Sequence, residues 1–328
     1  MKILTKLKHI ALSNALLLGA ATTASCDKVP LGPTAQITFI VKDDFGKPVA
    51  NADVTMSTFH HWEPGGEWGK DVRKKYRTKT DDTGRAVLSG ESATGRFTYG
   101  AFADSGYYYN GRLEYNFKEK KLGRWEPWNP TVEIIYKPIL KPIPMYHGGR
   151  RFVVPVRGEK IGFDLVKNDW VVPHGKGELS DFVFKLDEII PFESVHKPFD
   201  YRLKITFPNK GDGIQSWFGP VISAGEMPMP RYAPTDGYIN RLEQKFWSDK
   251  KNWYKQREDQ NYFFRIRTKM DANGKIVSAM YGKIQGNIDC DVINSKTGIL
   301  FFEYHLNPVA LDVNMEFDKK KNLLPEPR

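Results

Sequence analysis

The chain has 328 residues, of which 40% are hydrophobic and 13% aromatic, so it is long enough to bury a large core and to form two domains. Long apolar runs occur only near the N-terminus, which excludes a protein with many membrane spans. The formal net charge of +10 is a modest surplus spread along the chain, and it favours an acidic partner only weakly.

The first 25 residues have the features of a secretory signal peptide. Lys2, Lys6 and Lys8 precede an apolar stretch at residues 10–21, and small residues follow it up to Ser25. The apolar stretch is too short to span a membrane comfortably. The sequence therefore predicts a signal peptide at residues 1–25 and export of the chain, and nucleic acid is not expected as a partner outside the cytoplasm.

The small residues directly before Cys26 resemble the lipobox of bacterial lipoproteins, although Thr23 stands where an aliphatic residue is usual. The resemblance implies that the Cys26 thiol is lipidated and anchors the chain to a membrane of the bacterial cell envelope, with residues 26–35 as a tether. The alternative is ordinary cleavage near Ala24, which leaves Cys26 free to pair with Cys290. If Cys26 is lipidated, Cys290 is alone, and we expect packing to shelter it.

The stretch from Ile37 to Ala103 reads as strands joined by acidic turns that contain glycine. Glycine accepts a positive φ, and an aspartate side chain bonds nearby backbone amides. The pattern Asp43-x-x-Gly46-x-Pro48-Val49-x-Asn51-Ala52-x-Val54, followed by Thr80-Asp81-x-x-Gly84-x-Ala86-x-Leu88, resembles the carboxypeptidase-regulatory-like domain. The resemblance implies an immunoglobulin- or transthyretin-like β-sandwich at residues 36–137. It implies no peptidase activity, because this domain is the accessory part of those enzymes.

A second domain is predicted at residues 138–328. Pro138, Pro142 and Pro144 predict that no regular central strand or helix forms there, and they mark the expected boundary. Beyond this boundary, apolar and polar residues alternate over most of the chain, as they do in strands. Asp271-Ala272-Asn273-Gly274 lies between two apolar runs and predicts a hairpin. The sequence therefore predicts a β-rich domain with one or two helices.

One helix is predicted in this second domain. Ile239, Leu242, Phe246 and Trp253 form one apolar stripe at helical spacing in an otherwise polar segment. A residue near 235–236 would cap its N-terminus.

The end of the chain resembles a set of uncharacterised bacterial exported proteins that carry the regulatory-like domain. The resemblance lies in Tyr304-x-Leu306-Asn307-Pro308 and Asn314-x-Glu316-Phe317-Asp318, among other positions. It implies export but brings no activity and no catalytic residue.

Motifs for catalysis are few. His60 and Glu63 have the His-x-x-Glu spacing of a zinc-binding peptidase, and a third ligand would have to come from His174 or His196. The peptidase fold has long helices, whereas His60 lies in a loop of a small sandwich, so no metal and no cofactor are predicted. Ser248-x-x-Lys251 lacks the companion motifs of penicillin-recognising enzymes.

Aromatic residues are concentrated in the predicted loops of the first domain. Flat rings on loops suit stacking against sugar faces or an apolar protein partner. They also suit packing between two domains, in which case they would be buried. The candidate ligand-binding residues are Trp62, Trp68, Tyr108, Trp125 and Trp128.

These observations favour a non-catalytic lipoprotein of the cell envelope with a binding or structural role. Its expected partners are the membrane, through Cys26, and an envelope protein or a glycan. One alternative is a glycan-binding surface protein that uses exposed aromatic loops. Another is a metal-dependent hydrolase in which His60, Glu63 and a distant histidine converge.

Overall fold

The computed structural model describes residues 32–64, 69–102, 106–194, 196–219, 226–292 and 297–325. Over these ranges the chain forms strands and no helix. The mainly β prediction is therefore confirmed. None of the described residues belongs to a helix that could cross a membrane.

The first sandwich contains nine strands in two facing sheets. One sheet has the order β4-β1-β8-β7, with β9 also paired to β1, and the other has the order β3-β2-β5-β6. The strands are β1 (Thr34–Lys42), β2 (Asp53–Glu63), β3 (Lys70–Lys79), β4 (Arg85–Glu91), β5 (Arg96–Phe102), β6 (Leu113–Asn116), β7 (Glu119–Lys121), β8 (Arg124–Glu126) and β9 (Thr131–Ile135).

The core of this sandwich forms because alternate residues of each strand point inward. Phe39 of β1 and Tyr99 of β5 meet across the two sheets, with ring centroids 5.3 Å apart. Further buried residues come from both sheets, namely Ile37, Val41, Val54, Met56, Phe97 and Ile134.

Three turns in the protein share one hydrogen-bonding pattern. In the turn at Asp43 the backbone N–H of Gly46 donates to the Asp43 carbonyl, and Asp43 Oδ1 accepts the N–H groups two and four residues later. The turns at Asp81 and Asp271 repeat these bonds. Gly46, Gly84 and Gly274 all have positive φ. The predicted capping role of these aspartates and the predicted hairpin at Asp271 are confirmed.

The second sandwich also consists of two facing sheets. One has the order β15-β17-β18-β20-β10-β21, with β19 paired to β20, and the other has the order β12-β11-β13-β14-β16. The strands are β10 (Ile143–Val153), β11 (Ile161–Asp164), β12 (Asp169–Trp170), β13 (Phe182–Ile190), β14 (Phe199–Thr206), β15 (Gly213–Phe218), β16 (Arg241–Ser248), β17 (Gln260–Met270), β18 (Ile276–Ile284), β19 (Asp289–Asp291), β20 (Ile299–Leu306) and β21 (Phe317–Asn322).

The core of the second sandwich is rich in phenylalanine. Phe163 and Phe302 lie 5.6 Å apart between the sheets, and Phe182 and Phe264 lie 5.2 Å apart. Cys290 belongs to the same core and is 1% exposed, so the expectation that packing shelters it is confirmed.

The predicted helix between Ile239 and Trp253 is wrong. Its central part is strand β16, which pairs with β14 over its full length. Leu242 and Phe246 are four residues apart, a spacing that suits a helix and also a strand. The backbone pairing with β14 establishes the strand, in which Gln244 points to the same side as these two residues and donates to the Tyr262 hydroxyl at 2.8 Å.

Residues 226–239 form a segment without regular strands that covers the outer face of the seven-stranded sheet. Met229 and Ala233 of this covering segment pack on Phe263 and Tyr281, which point away from the main core. The covering segment also carries Arg231, which it places beside the first sandwich.

Candidate functional site at the seam between the sandwiches

The two sandwiches meet at a buried charged group, the seam cluster of Arg231, Asp44 and Glu316. The Arg231 side chain is 2% exposed. Its Nε donates to Asp44 Oδ2 at 2.9 Å, and its Nη2 donates to the Pro138 carbonyl at 2.6 Å. Asp44 lies in the turn that follows β1, so a single arginine of the second sandwich contacts the first sandwich and the connection between the two.

Glu316 completes the seam cluster from the C-terminal part of the chain. Its carboxylate accepts the backbone N–H groups of Leu140 at 2.6 Å and Lys141 at 2.8 Å, and the Tyr108 hydroxyl at 3.1 Å. Arg231 Nη1 lies 2.9 Å from Glu316 Oε1, a charge contact without hydrogen-bond alignment. Burial alone would raise the pKa of Glu316, but the two backbone donors and the guanidinium together hold that pKa below its usual value.

Two asparagines support Glu316 from the C-terminal motifs of the sequence. Asn314 Oδ1 accepts the N–H of Glu316, and Asn314 Nδ2 donates to the Lys141 carbonyl at 2.8 Å. Asn307 Nδ2 donates to the carbonyl of Asn314 at 3.0 Å. These residues therefore hold the seam in place, although their sequence pattern alone indicates no role.

Two lysines near the seam have depressed pKa values. Lys137 Nζ donates to the carbonyls of Met227 and Met229, and burial lowers its pKa to about 8. Lys283 is 2% exposed and donates to the Met315 carbonyl at 2.9 Å. Burial, with a smaller effect of the Lys137 charge, lowers the pKa of Lys283 to about 7.

Two clefts flank the seam, and Tyr108 lines both. The first has a volume of about 440 Å³ and a largely apolar wall that includes Trp217 and Met227. The second has a volume of about 470 Å³ and contains His147, whose Nε2 lies 2.7 Å from Glu303 Oε1 and whose ring stacks on His305. Both volumes fall in the range of small-molecule sites.

The described members of the predicted ligand-binding aromatics lie in different surroundings. Tyr108 lies at the seam through its bond to Glu316, whereas Trp125 packs on the first core and donates to the Ser92 carbonyl at 3.1 Å. Trp62 is 54% exposed and Trp128 is 37% exposed, so neither is a buried plug. Trp68 and the lipidation candidate Cys26 lie outside the described residues.

His60 and Glu63 both belong to strand β2 and not to the loop expected from the sequence, and each contacts His61. Glu63 Oε1 lies 3.3 Å from His61 Nε2, and the His60 ring packs edge-on against His61. Among the residues that the structure describes, no group of three metal-ligating side chains is close enough to hold an ion.

Sequence reasoning misses the seam cluster. The pattern around Asp44 indicates only a turn, and Arg231 stands in a segment without periodicity. Glu316 belongs to a C-terminal motif, but nothing in its spacing connects it to Arg231 and Asp44, which stand 85 and 272 positions earlier in the chain. Only the packing of two separate sandwiches brings these three side chains together.

Comparison with known proteins gives distant structural likenesses only. No protein-family model matches the chain, the regulatory-like domain included, and a search of curated proteins finds no match. The chain is similar to a mutant of the shaft pilin SpaA from Lactobacillus rhamnosus GG, at 11% identity and a TM-score of 0.22 over 79% of this chain and 90% of the pilin. It is also similar to the full-length major pilin SpaD from Corynebacterium diphtheriae, at 9% identity and a TM-score of 0.25 over 86% of this chain and 83% of the pilin. Likenesses at such low TM-scores carry no argument about function.

Proposed function

We propose that this protein is a non-catalytic, membrane-anchored protein of the bacterial cell envelope whose two sandwiches act as one rigid unit in binding or structural support. The anchor is the lipidated Cys26, and the tether expected at residues 26–35 ends at residue 33, because Thr34 and Ala35 belong to β1. The rigid unit comprises the domain predicted at 36–137, extended back to Thr34, and the domain at 138–328. The observation that carries the proposal is the buried seam cluster.

The seam cluster supports rigidity because domains in one chain move relative to each other by default unless their interface is substantial. Here Arg231 is withdrawn from water and bonded to Asp44 of the other sandwich. Separating the sandwiches would take Asp44 away from the buried Arg231 guanidinium and the Tyr108 hydroxyl away from Glu316, and breaking a buried ion pair from one side is costly. Apart from Arg231 Nη1, which has only its charge contact with Glu316, the polar groups of the seam cluster bond to one another and to backbone, as expected of a joint.

A second contact supports the same role. The N–H of Tyr109 donates to Glu226 Oε2 at 2.9 Å, and the N–H of Glu226 donates back to the Tyr109 carbonyl at 2.8 Å. Lys319 Nζ pairs with Glu226 Oε1 at 2.9 Å. Together with the bonds of Lys137 to the Met227 and Met229 carbonyls, this contact attaches the two sandwiches at several separate points, which restrains rotation as well as separation.

Small-angle X-ray scattering of the chain without its signal peptide tests the rigid unit. We expect a single compact conformation to fit the wild-type data, and a broader distribution of interdomain distances for Arg231→Met. Wild-type data that require a mixture of separated sandwiches would overturn the proposal. Intact mass of the protein from membranes, compared with Cys26→Ser, tests the anchor separately: an acylated Cys26 and its loss in the variant are expected.

A second candidate function is glycan binding by the exposed tryptophans. Among the members of the predicted aromatic set that the structure describes, Trp62 and Trp128 are exposed, and Arg124 lies 4.9 Å over the Trp128 ring. Binding of envelope polysaccharides that falls in Trp62→Ala and Trp128→Ala would support this role. Equal binding by wild type and both variants would refute it.

A further inference from the structure

The edge strand β3 of the first sandwich is strongly basic, and most of its cations lie on one side, although Lys74 lies on the other beside Tyr76. Arg73, Lys75 and Arg77 alternate with residues such as Tyr76, which packs on the first core. Because alternate side chains of a strand point to opposite faces, the three basic residues lie on the outer face of the sheet. All three are exposed.

A groove runs across this outer face. Its volume is about 610 Å³, and basic side chains from two strand regions line it, Arg73 and Lys75 on β3 and Arg112 just before β6. Lys75 stands opposite Ser57, which stands opposite Thr98 in the next strand. We call these five residues the basic groove, in which hydroxyl groups form the floor and cations form the sides.

Two acidic residues near the basic groove are paired, one with Arg96 outside the groove and the other with Arg73 of the groove itself. Glu114 binds the Arg96 guanidinium, with Nε donating at 3.0 Å. Asp71 lies 3.2 Å from Arg73 Nη2 in an exposed pair. The described part of the groove lining holds three cations and one acid, so its net charge favours an anion.

An aromatic platform closes one end of the groove. Phe102 stacks on Tyr109 with ring centroids 5.5 Å apart and an interplanar angle of 23°, and both residues line the groove. The ammonium of Lys75 lies 5.8 Å from the centre of the Phe102 ring. A flat apolar face beside cations and hydroxyls matches a sugar ring that carries an acidic group.

We propose that the basic groove binds an acidic polysaccharide. Arg73, Lys75 and Arg112 bind its carboxylates, Ser57 and Thr98 bond its hydroxyl groups, and a pyranose face packs on Phe102. A bilayer surface fits less well, because the site is a concave groove with a hydroxyl floor. The inference rests on the proposed role of an exported binding protein and adds a ligand class and a site distinct from Trp62 and Trp128.

The test is binding of the chain without its signal peptide to immobilised polygalacturonate. The groove variant is Arg73→Gln/Lys75→Gln/Arg112→Gln, and the matched control, Lys118→Gln/Lys120→Gln/Lys121→Gln, removes three exposed charges elsewhere on the same sandwich. Three surface charge contacts together predict a loss of affinity of about tenfold in the groove variant. The control variant should bind like the wild type.

Four outcomes separate the explanations. Loss confined to the groove variant, with salt-sensitive binding in the wild type, supports the inference. An equal loss of polygalacturonate binding in the groove variant and the control variant would mean that net charge alone attracts the polysaccharide, and it would overturn the inference. Equal binding of neutral dextran overturns the role of the carboxylates, and binding of phosphatidylglycerol vesicles in place of polygalacturonate assigns the groove to the membrane. Wild-type scattering and the mass of the anchored protein do not depend on these results, so failure here leaves the proposed function standing.

Discussion

Removal of the Arg231 guanidinium should destabilise the protein strongly. In Arg231→Met the side chain keeps much of its length but loses the charge that faces Asp44 and Glu316. Glu316 is 1% exposed and would keep only its neutral donors, the backbone of Leu140 and Lys141 and the Tyr108 hydroxyl. Breaking a buried ion pair from one side costs about 3–5 kcal/mol because the remaining charge is left buried.

A second variant separates the cost of the unpaired buried charge from the cost of lost packing. Arg231→Met/Asp44→Asn/Glu316→Gln has no charge left at the seam, so the penalty for an unpaired carboxylate disappears. Replacing both sides of a buried pair is often close to neutral. We therefore expect the triple variant to recover a large part of the stability lost in the single variant.

Urea unfolding, followed by circular dichroism and by tryptophan fluorescence, measures both effects. Arg96→Met is the matched control, since it removes an arginine from the exposed pair with Glu114 and should change the midpoint little. The reasoning would be refuted if Arg231→Met cost no more than Arg96→Met. It would also be refuted if the triple variant were less stable than the single one.

Three further predictions use other parts of the molecule. Gly84→Ala should destabilise the protein more than Gly46→Ala. Both alanines would have a strained positive φ, which costs about 1 kcal/mol, but only at Gly84 would the new Cβ stand 2.4 Å from the Val41 carbonyl oxygen. Equal thermal midpoints of the two variants would contradict this. Burial lowers the pKa of Lys283 to about 7 in the folded protein, so between pH 7 and 10 this lysine carries a proton only in the unfolded state. The free energy of unfolding should therefore rise with pH over this range, and the rise should be smaller in Lys283→Met. Burial raises the pKa of the Cys290 thiol to about 12, so in Cys26→Ser this thiol should react with a disulfide reagent only after unfolding, and rapid native reaction would show that it is accessible.

The fold class can be predicted from the sequence where local chemistry decides the structure. The turns at Asp43, Asp81 and Asp271 are recognisable because an aspartate and a glycine three residues later satisfy the turn without help from the rest of the chain. Strand β16 is not recognisable in this way because Leu242 and Phe246 fit two periodicities, and only its pairing with the distant strand β14 distinguishes them.

The seam could not be predicted for a different reason. Asp44, Arg231 and Glu316 come from a turn, an irregular segment and the approach to the last strand, and no local pattern links them. The basic groove is partly predictable from the sequence, less so than the turns and more so than the seam cluster. Alternation along β3 places Arg73 and Lys75 on one face, but the pairing with Ser57 and Thr98 requires the register of three strands.

Each sandwich has its first strand in the interior of a sheet. Thr38 of β1 pairs with Thr131 of β9, and Ile143 of β10 pairs with Phe317 of β21. The first strand of each sandwich therefore pairs with the last strand of the same sandwich. Such distant pairings make folding slow. In a chain that emerges N-terminus first, β1 cannot complete its sheet until β9 has emerged. The second sandwich closes only when β21 is present. The seam cluster needs Glu316 and therefore forms last.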